Sequence, residues 1–92
     1  MRLEWDADKA VRNLRKHGVS FEDAELVFHD PCRIEAYDGR EDYAEDRWAT
    51  IGMAWIAVLY VVYTVRDGET IRLISARRAN AQERKQYREA NA

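Results

Sequence analysis

The sequence predicts a single α+β domain over residues 1–92, with two N-terminal helices, an antiparallel meander of about four strands and a C-terminal helix. Three observations support this fold class. The 92 residues are 47% hydrophobic and 35% charged, which excludes both a disordered chain and a membrane-embedded one. Helix caps and a helical spacing of apolar side chains occur towards the two ends of the chain. The part between them alternates strand-forming segments with turn signals, so we expect the helices to pack on one face of a sheet.

The first helix is predicted between Asp6 and Gly18. Asp6 or Asp8 can cap its N-terminus, it runs to about His17, and Gly18 can end it in the left-handed conformation. Its two sides differ in chemistry. The apolar side, which we expect to face the core, holds Ala10, Val11 and Leu14, and the wet, basic side holds Lys9, Arg12, Arg15 and Lys16.

A second helix is predicted to begin at Ser20. Ser20 and Asp23 approximate a capping box in which the acidic side chain is one carbon shorter than usual. Pro31 disfavours helical backbone at Asp30, so the helix has to end before it. Its buried side is predicted to consist of Phe21, Ala24, Val27 and Phe28.

Four strands are predicted in the middle of the chain, over residues 33–37, about 47–52, about 57–66 and 70–76. The stretch from Trp48 to Val65 carries no formal charge, but its valines, tyrosines and threonines indicate two buried strands and a tight turn rather than a membrane span. Asp67-Gly68 predicts a tight turn that makes the last two strands a hairpin. Residues 38–45 are predicted to be a polar, acidic loop.

The C-terminal helix is predicted to begin at Asn80. Glu83 follows three residues later, so the two side chains can form a capping box. This helix carries Arg84, Lys85, Tyr87 and Arg88.

Charge is distributed unevenly along the chain although the net charge is only −2. Residues 1–21 sum to +2, residues 22–46 to −8 and residues 66–92 to +3. An acidic middle between basic ends indicates separate surfaces for separate partners, although scattered solvated charge is the simpler alternative. The charged N-terminus lacks a secretory signal and Cys32 is the single cysteine, so we expect a cytoplasmic protein with no membrane partner.

Metal and cofactor sites are not predicted. Cys32, His17 and His29 are the only soft ligands, and their spacing fits no zinc pattern. The acidic residues between 38 and 46 read more simply as a solvated loop than as an oxygen-ligand site. A nucleophilic role for Cys32 is disfavoured because no base is adjacent to it in the sequence.

Phosphate chemistry is better supported, because arginines occur at or near the ends of predicted strands. Guanidinium groups bind phosphate through two parallel hydrogen bonds and stay charged at any working pH. Metal-free cleavage of a phosphodiester needs a base for the 2′-hydroxyl, cations for the developing charge and an acid for the leaving oxygen. The arginines are Arg47, Arg66, Arg77 and Arg78, and the groups able to transfer protons or supply charge are Glu45, His17 and Lys16. The alternative is that these arginines only solubilise strand ends and pair with the acidic loop.

Several motifs in a fixed order resemble one protein family over essentially the whole chain. The first are Glu4-Trp5-Asp6, the run from Asn13 to Ala24 that contains Lys16-His17-Gly18-Val19-Ser20-Phe21, then Val27-Phe28 and Asp30-Pro31. The later ones are Glu45-Asp46-Arg47, Thr50-Ile51-Gly52, Val61 to Arg66, Ile74 to Ala79, Glu83-Arg84 and Tyr87. Together they resemble the BrnT toxin family. The chain differs from the usual pattern at Ala44, where a glycine is common, and at Trp55-Ile56-Ala57, where Gly-Gly-Arg or similar is common.

The resemblance implies a fold similar to RelE-type ribonucleases and a toxin of a bacterial type II toxin–antitoxin module. It implies RNA cleavage without a metal, neutralisation by a small BrnA-like antitoxin, and contact with operator DNA only through that antitoxin. We expect Arg47, Arg66 and Arg77 to hold the scissile phosphate, with Lys16 nearby and Glu45 or His17 as base or acid. Arg78, Arg84 and Tyr87 are expected to contact the substrate.

A second hypothesis assigns the chain to a different functional class, a catalytically degenerate module that acts as co-repressor with the antitoxin. Such a module needs an antitoxin-binding surface but no acid–base pair. His17 then needs no catalytic role, because a histidine at a helix C-terminus is favoured by the helix dipole alone.

Overall fold

The computed structural model describes residues 1–37 and 46–92, and in these ranges it contains three helices and five strands. The helices are α1 (Ala7–His17), α2 (Phe21–Val27) and α3 (Ala81–Ala90). The strands are β1 (Arg2–Glu4), β2 (Ile34–Tyr37), β3 (Trp48–Ala54), β4 (Ala57–Arg66) and β5 (Thr70–Arg78). The predicted acidic loop at residues 38–45 lies outside the described residues.

The strands form one mixed sheet in the order β1-β5-β4-β3-β2. Strands β2 to β5 are the predicted antiparallel meander, so the α+β fold class is confirmed. Strand β1 was not predicted. It pairs in parallel with β5, placing Leu3 beside Ile71, and its three residues are too few to show a period-2 pattern.

The predicted helix ends agree with the structure. The Asp6 carboxylate accepts backbone N–H bonds at the start of α1, and Gly18 ends that helix with φ 71°. Ser20 caps α2 through the Asp23 backbone N–H. The capping box of α3 is complete, because Asn80 and Glu83 each accept the other's backbone N–H. Local side-chain chemistry therefore fixes where each helix begins.

Two tight turns connect the last three strands. Asp67 and Gly68 have φ values of 54° and 81°, the conformation predicted for this Asp-Gly pair in a hairpin. The β3–β4 turn is less expected, because Trp55 has φ 56° and is not a glycine. It brings Ala54 opposite Ala57 with only Trp55 and Ile56 between them.

The hydrophobic core lies between one face of the sheet and α2. Phe21 and Val27 of α2 are fully buried against Val61 and Leu73 of the sheet. Gly52 on β3 permits this close packing, because a Cβ there would lie 2.8 Å from Cγ1 of Val27. The predicted buried side of α2 is thus confirmed.

Helix α1 lies along the edge of β5, and this position makes one prediction wrong. Val11 and Leu14, expected in the core, are 53% and 51% exposed. The buried polar residue of α1 is Asn13, whose side-chain amide donates to the Ala76 carbonyl at 2.8 Å and accepts from the Ala76 N–H at 3.0 Å. Asn13 therefore makes the hydrogen bonds to the Ala76 backbone that a neighbouring strand would otherwise make. The apolar periodicity of α1 does not reveal this role.

Helix α3 packs on the opposite face of the sheet from α2, so the expectation that all helices share one face is wrong. Tyr60 and Arg77 are opposite each other in the register and lie on this second face, and Arg77 is bonded to Glu83 of α3. The far end of α3 is held by Tyr87, whose hydroxyl donates to Asp30 at 2.6 Å. Among the helices that the structure describes, none is long and apolar enough to cross a membrane.

Candidate active site

A groove of about 510 Å³ runs between α1 and the second face of the sheet, the face that carries α3. Its walls carry mostly basic side chains. The lining residues are Lys9, Arg12, Asn13, Lys16 and His17 from α1, and Arg47, Ile74 and Ser75 from the sheet side.

The basic side of α1 faces this groove because of how Asn13 anchors the helix. Residues 9, 12 and 16 follow a spacing of three and four, so their side chains share one side of α1. Asn13 also donates to the Val19 carbonyl at 2.9 Å, which ties the helix to the turn that follows it. With Asn13 bonded both to this turn and to Ala76 of β5, α1 is fixed about its axis and its lysines are directed over the sheet.

Arg47 reaches the groove across β4. The register that pairs Trp48 with Tyr63 places Arg47 beside Thr64, while Ser75 lies opposite Val62 on the other side of β4. The side chain of Arg47 must therefore extend over β4 to line the same groove as Ser75, and Arg47 is only 9% exposed. The groove therefore has a guanidinium at its floor and ammonium groups along its rim.

An irregularity in the pairing of β4 with β5 shapes the floor. The register shifts between Val62 and Tyr63, which pair with Ser75 and Leu73, so Ile74 is the extra residue of a bulge. Ile74 and Ser75 are consecutive, yet both line the groove. A bulge permits this because it interrupts the alternation of side chains between the two faces.

The cations of α1 are not neutralised within the described part of the chain. The side chains of Lys9 and Lys16 make no ion pair or hydrogen bond with residues of 1–37 or 46–92, and Arg12 has only a longer-range electrostatic interaction with Asp6. Other cations of the protein do, since Arg72 bonds to Glu4 at 2.6 Å and Arg33 to Glu35. Unpaired cations on one side of a helix favour a multivalent anion.

The structure brings together three of the residues predicted to act in catalysis, namely Lys16, His17 and Arg47. Glu45, another of the six residues predicted to act in catalysis, lies outside the described residues. Arg66 ends β4 two residues beyond Thr64, at the same end of the sheet as Arg47, but it does not line the groove.

Arg77 is held away from Arg47. The two Cα atoms are two strands and four residues apart, which is roughly 16 Å at ordinary sheet spacings. The Arg77 guanidinium donates to both carboxylate oxygens of Glu83, at 2.8 and 2.9 Å, and lies 4.2 Å from the centre of the Tyr60 ring. These hydrogen bonds raise the pKa of Arg77 and lower the pKa of Glu83. Its predicted contact with phosphate stays a prediction, and its present contacts fasten α3 to β5.

The three residues predicted to bind substrate do not meet in the groove. Arg78 lies on the core face of the sheet, where it lines a pocket near the β3–β4 turn. Arg84 donates to the Ala79 carbonyl at 2.7 Å. Burial and the hydrogen bond to Asp30 raise the pKa of Tyr87 to about 12, as expected for a hydroxyl that holds a helix in place.

Sequence reasoning missed five of the residues that line the groove, namely Lys9, Arg12, Asn13, Ile74 and Ser75. Lys9 and Arg12 were placed on the wet side of α1, and their spacing with Lys16 was a usable signal for a binding surface. Ser75 carried no such signal, because its position depends on the bulge in β5. Within the described ranges, no group of three or more histidine, cysteine or acidic side chains is placed to hold a metal ion.

Comparison with known proteins identifies the family of this chain. Residues 5–83 match the family model described as the ribonuclease toxin, BrnT, of a type II toxin–antitoxin system. The fold matches the 1.1 Å crystal structure of the Brucella abortus ribonuclease toxin, BrnT, with a TM-score of 0.65 and 25% sequence identity, covering 87% of this chain and 97% of that one. No curated protein matches the sequence significantly. Because the family model matches residues 5–83 and the fold agrees with that crystal structure, the chain belongs to the BrnT family of ribonuclease toxins of type II toxin–antitoxin systems.

Proposed function

We propose that this chain cleaves RNA in the basic groove between α1 and the sheet, and that this cleavage arrests growth of the cell. The observation that carries the proposal is the convergence of Lys16, His17 and Arg47 on one groove whose α1 cations are unpaired among the described residues. A single-stranded RNA backbone supplies the repeating negative charge that such a row of cations fits.

The reaction we propose needs no metal ion. The 2′-hydroxyl oxygen attacks the adjacent phosphorus, the bond from phosphorus to the 5′-oxygen breaks, and a 2′,3′-cyclic phosphate forms. His17 and Glu45 are the proton-transfer pair: one removes the 2′-hydroxyl proton and the other donates a proton to the leaving 5′-oxygen. Lys16 and Arg47 stabilise the charge that develops on the phosphoryl oxygens. Lys9 and Arg12 hold the flanking backbone.

Membership in a type II family implies an antitoxin partner. We propose that this partner is a BrnA-like protein that neutralises the toxin and connects it to operator DNA, which the toxin itself does not contact.

The direct test compares variants of the groove with matched variants elsewhere. His17→Gln and Lys16→Gln should lower the rate constant for RNA cleavage by about a hundredfold or more, the usual contribution of a proton-transfer or charge-stabilising group. His29→Gln and Lys85→Gln change the same residue types at positions outside the groove and should cleave normally. Full activity of His17→Gln would contradict the proposed chemistry.

Two further readouts test the mechanism. Cleavage should continue in excess EDTA, and the products should carry a 2′,3′-cyclic phosphate end. Loss of activity in EDTA that added magnesium restores would overturn the metal-free mechanism. Intact RNA and unimpaired growth on induction of the wild-type chain, combined with tight antitoxin binding, would support the co-repressor hypothesis instead.

A further inference from the structure

An exposed apolar surface lies on the side of α1 opposite the basic groove and continues onto the β3–β4 turn. We call it the hairpin-tip surface and define it by Val11, Leu14, Trp55 and Ile56, which are 53%, 51%, 76% and 98% exposed. Gly18 lies between the two parts, because its N–H donates to the Leu14 carbonyl at 2.8 Å and it lines one pocket together with the turn. Contiguous apolar exposure of this kind indicates an interaction site.

The tip of the hairpin is fixed in place although it is exposed. Trp55 has φ 56°, a conformation that a bulky residue rarely adopts, and its indole N–H donates to the Asp23 carboxylate at 3.2 Å. Strained backbone of this kind persists where its surroundings hold it and is common at functional positions. A Trp side chain that is already oriented loses little freedom on binding, and such residues often dominate the affinity of protein interfaces.

The pocket beside this tip has the size and charge to hold one side chain of a partner. Its volume is about 150 Å³, and Ala54, Ala57 and Leu59 give it apolar walls. Arg78 and Asp23 also line it, and the Asp23 carboxylate already accepts the Trp55 indole N–H. Outside the pocket, Arg15 follows Val11 by one turn of α1. Neither guanidinium makes a side-chain ion pair or hydrogen bond in the part of the chain that the structure describes. The fitting partner therefore carries carboxylates next to an apolar side chain.

We propose that the hairpin-tip surface binds the antitoxin, through an amphipathic segment that inserts an apolar side chain into the pocket and places acidic residues against Arg78 and Arg15. The identity of this partner rests on the proposed function. A second copy of the chain fits less well, because a symmetric dimer through this surface would bring like guanidiniums together. RNA fits less well because the surface is apolar where the groove is cationic.

The test measures the affinity of the purified toxin for the antitoxin encoded with it, by isothermal titration calorimetry. Trp55→Gly, which suits the positive φ, and Ile56→Ser should each weaken binding at least tenfold. Arg78→Glu should weaken it to a similar extent. Val65→Ser, at another exposed apolar position, and Arg88→Glu, on α3, are matched controls and should bind as the wild type does.

Three readouts make the result decisive. RNA cleavage by Trp55→Gly and Ile56→Ser, measured without antitoxin, should equal that of the wild type. His17→Gln should lose cleavage and keep antitoxin affinity. The two sets of variants therefore test the cleavage proposal and the antitoxin proposal separately. Because Ile56 is 98% exposed, Ile56→Ser should retain the wild-type melting temperature even if Trp55→Gly does not. Unchanged antitoxin affinity of folded Ile56→Ser would overturn the proposal. So would a wild-type toxin that is a dimer, if Ile56→Ser dissociates the dimer and leaves antitoxin affinity unchanged.

Discussion

Asn13 illustrates how one polar residue decides the position of a whole helix. Its amide makes three hydrogen bonds, to the Val19 carbonyl and to both backbone groups of Ala76. Asn13→Ala would leave these buried groups unsatisfied, so we expect the free energy of unfolding to fall by about 3 kcal/mol. For a domain of this size that corresponds to a melting temperature lower by roughly 15 °C.

Leu14→Ala is the control for this prediction. The helical pattern alone would place Leu14 in the core, and its truncation would then be strongly destabilising. Because Leu14 is 51% exposed, we instead expect the free energy of unfolding to change by less than about 1 kcal/mol. Thermal melting of the two variants ranks them directly. A larger effect for Leu14→Ala would contradict the placement of α1.

Tyr87 provides a spectroscopic signal of its contact with Asp30. Burial and this hydrogen bond raise the pKa of Tyr87 to about 12 from an ordinary value of 10.0. Because the folded state holds this proton more tightly, the contact stabilises the protein below pH 10 and loses that contribution as pH rises towards 12. The difference in ultraviolet absorbance between wild type and Tyr87→Phe should therefore titrate near pH 12, and Asp30→Asn should move its midpoint lower. A midpoint at pH 10 would show that the contact is absent in solution.

Individual residues were the hardest part of the candidate site to predict from the sequence. Lys16, His17 and Arg47 meet in the groove, but the register of β3 and β4 that brings Arg47 there depends on pairing between distant segments. Arg77 has the same side-chain chemistry for phosphate binding as Arg47. Its guanidinium, however, is hydrogen-bonded to Glu83, a residue of the α3 capping box. A sequence pattern shows which side chains have the required chemistry and not which of them already have a partner.

At the scale of elements, α3 is attached mainly by polar contacts, since none of its residues is buried. The hydrogen bond from Arg77 lowers the pKa of Glu83 below its ordinary 4.5. A carboxylate of this kind contributes stability above its unfolded pKa, and the contribution disappears as pH falls through the lower folded pKa. Wild type should therefore exceed Glu83→Gln in free energy of unfolding at pH 7, and the difference should shrink as pH falls below the ordinary pKa of 4.5.

Urea denaturation at pH 7, 5 and 3 measures this difference. Glu89→Gln, which removes an exposed pair with Lys85 on the same helix, should show no comparable dependence on pH. A constant difference between wild type and Glu83→Gln from pH 7 to pH 3 would mean that the Arg77–Glu83 pair contributes nothing to the attachment of α3.

Elements could be predicted well where local chemistry determines them. The three helix caps, the Asp67-Gly68 turn and the four strands of the meander all follow from neighbouring residues. The exceptions are β1, which needs a partner some seventy residues away, and the placement of α3 on the second face of the sheet. Both depend on contacts between distant parts of the chain, for which a single sequence gives no local signal.

At the scale of the whole molecule, the net charge of −2 conceals a strongly cationic groove. If four cations of the groove contact phosphates of single-stranded RNA, the logarithm of the binding constant should fall with the logarithm of salt concentration with a slope of about −3. Fluorescence anisotropy at several salt concentrations measures it. Lys16→Gln should reduce the slope by about 0.7, and Lys85→Gln should leave it unchanged. A flat salt response would show that RNA does not bind through this groove.

Among the described residues, the two edges of the sheet differ in how much backbone they offer to another strand. On the β5 side, β1 pairs with residues 70–72 and Asn13 occupies the backbone groups of Ala76. On the other side, β2 is the outermost strand of the described residues, and the sequence that follows it contains Asp38, Glu41 and Asp42. At the opposite edge the outermost described strand is β1, whose three residues offer only a short stretch of backbone to a second copy. Edge-to-edge growth into a fibre requires both edges of every copy to pair, so the short β1 edge disfavours such growth.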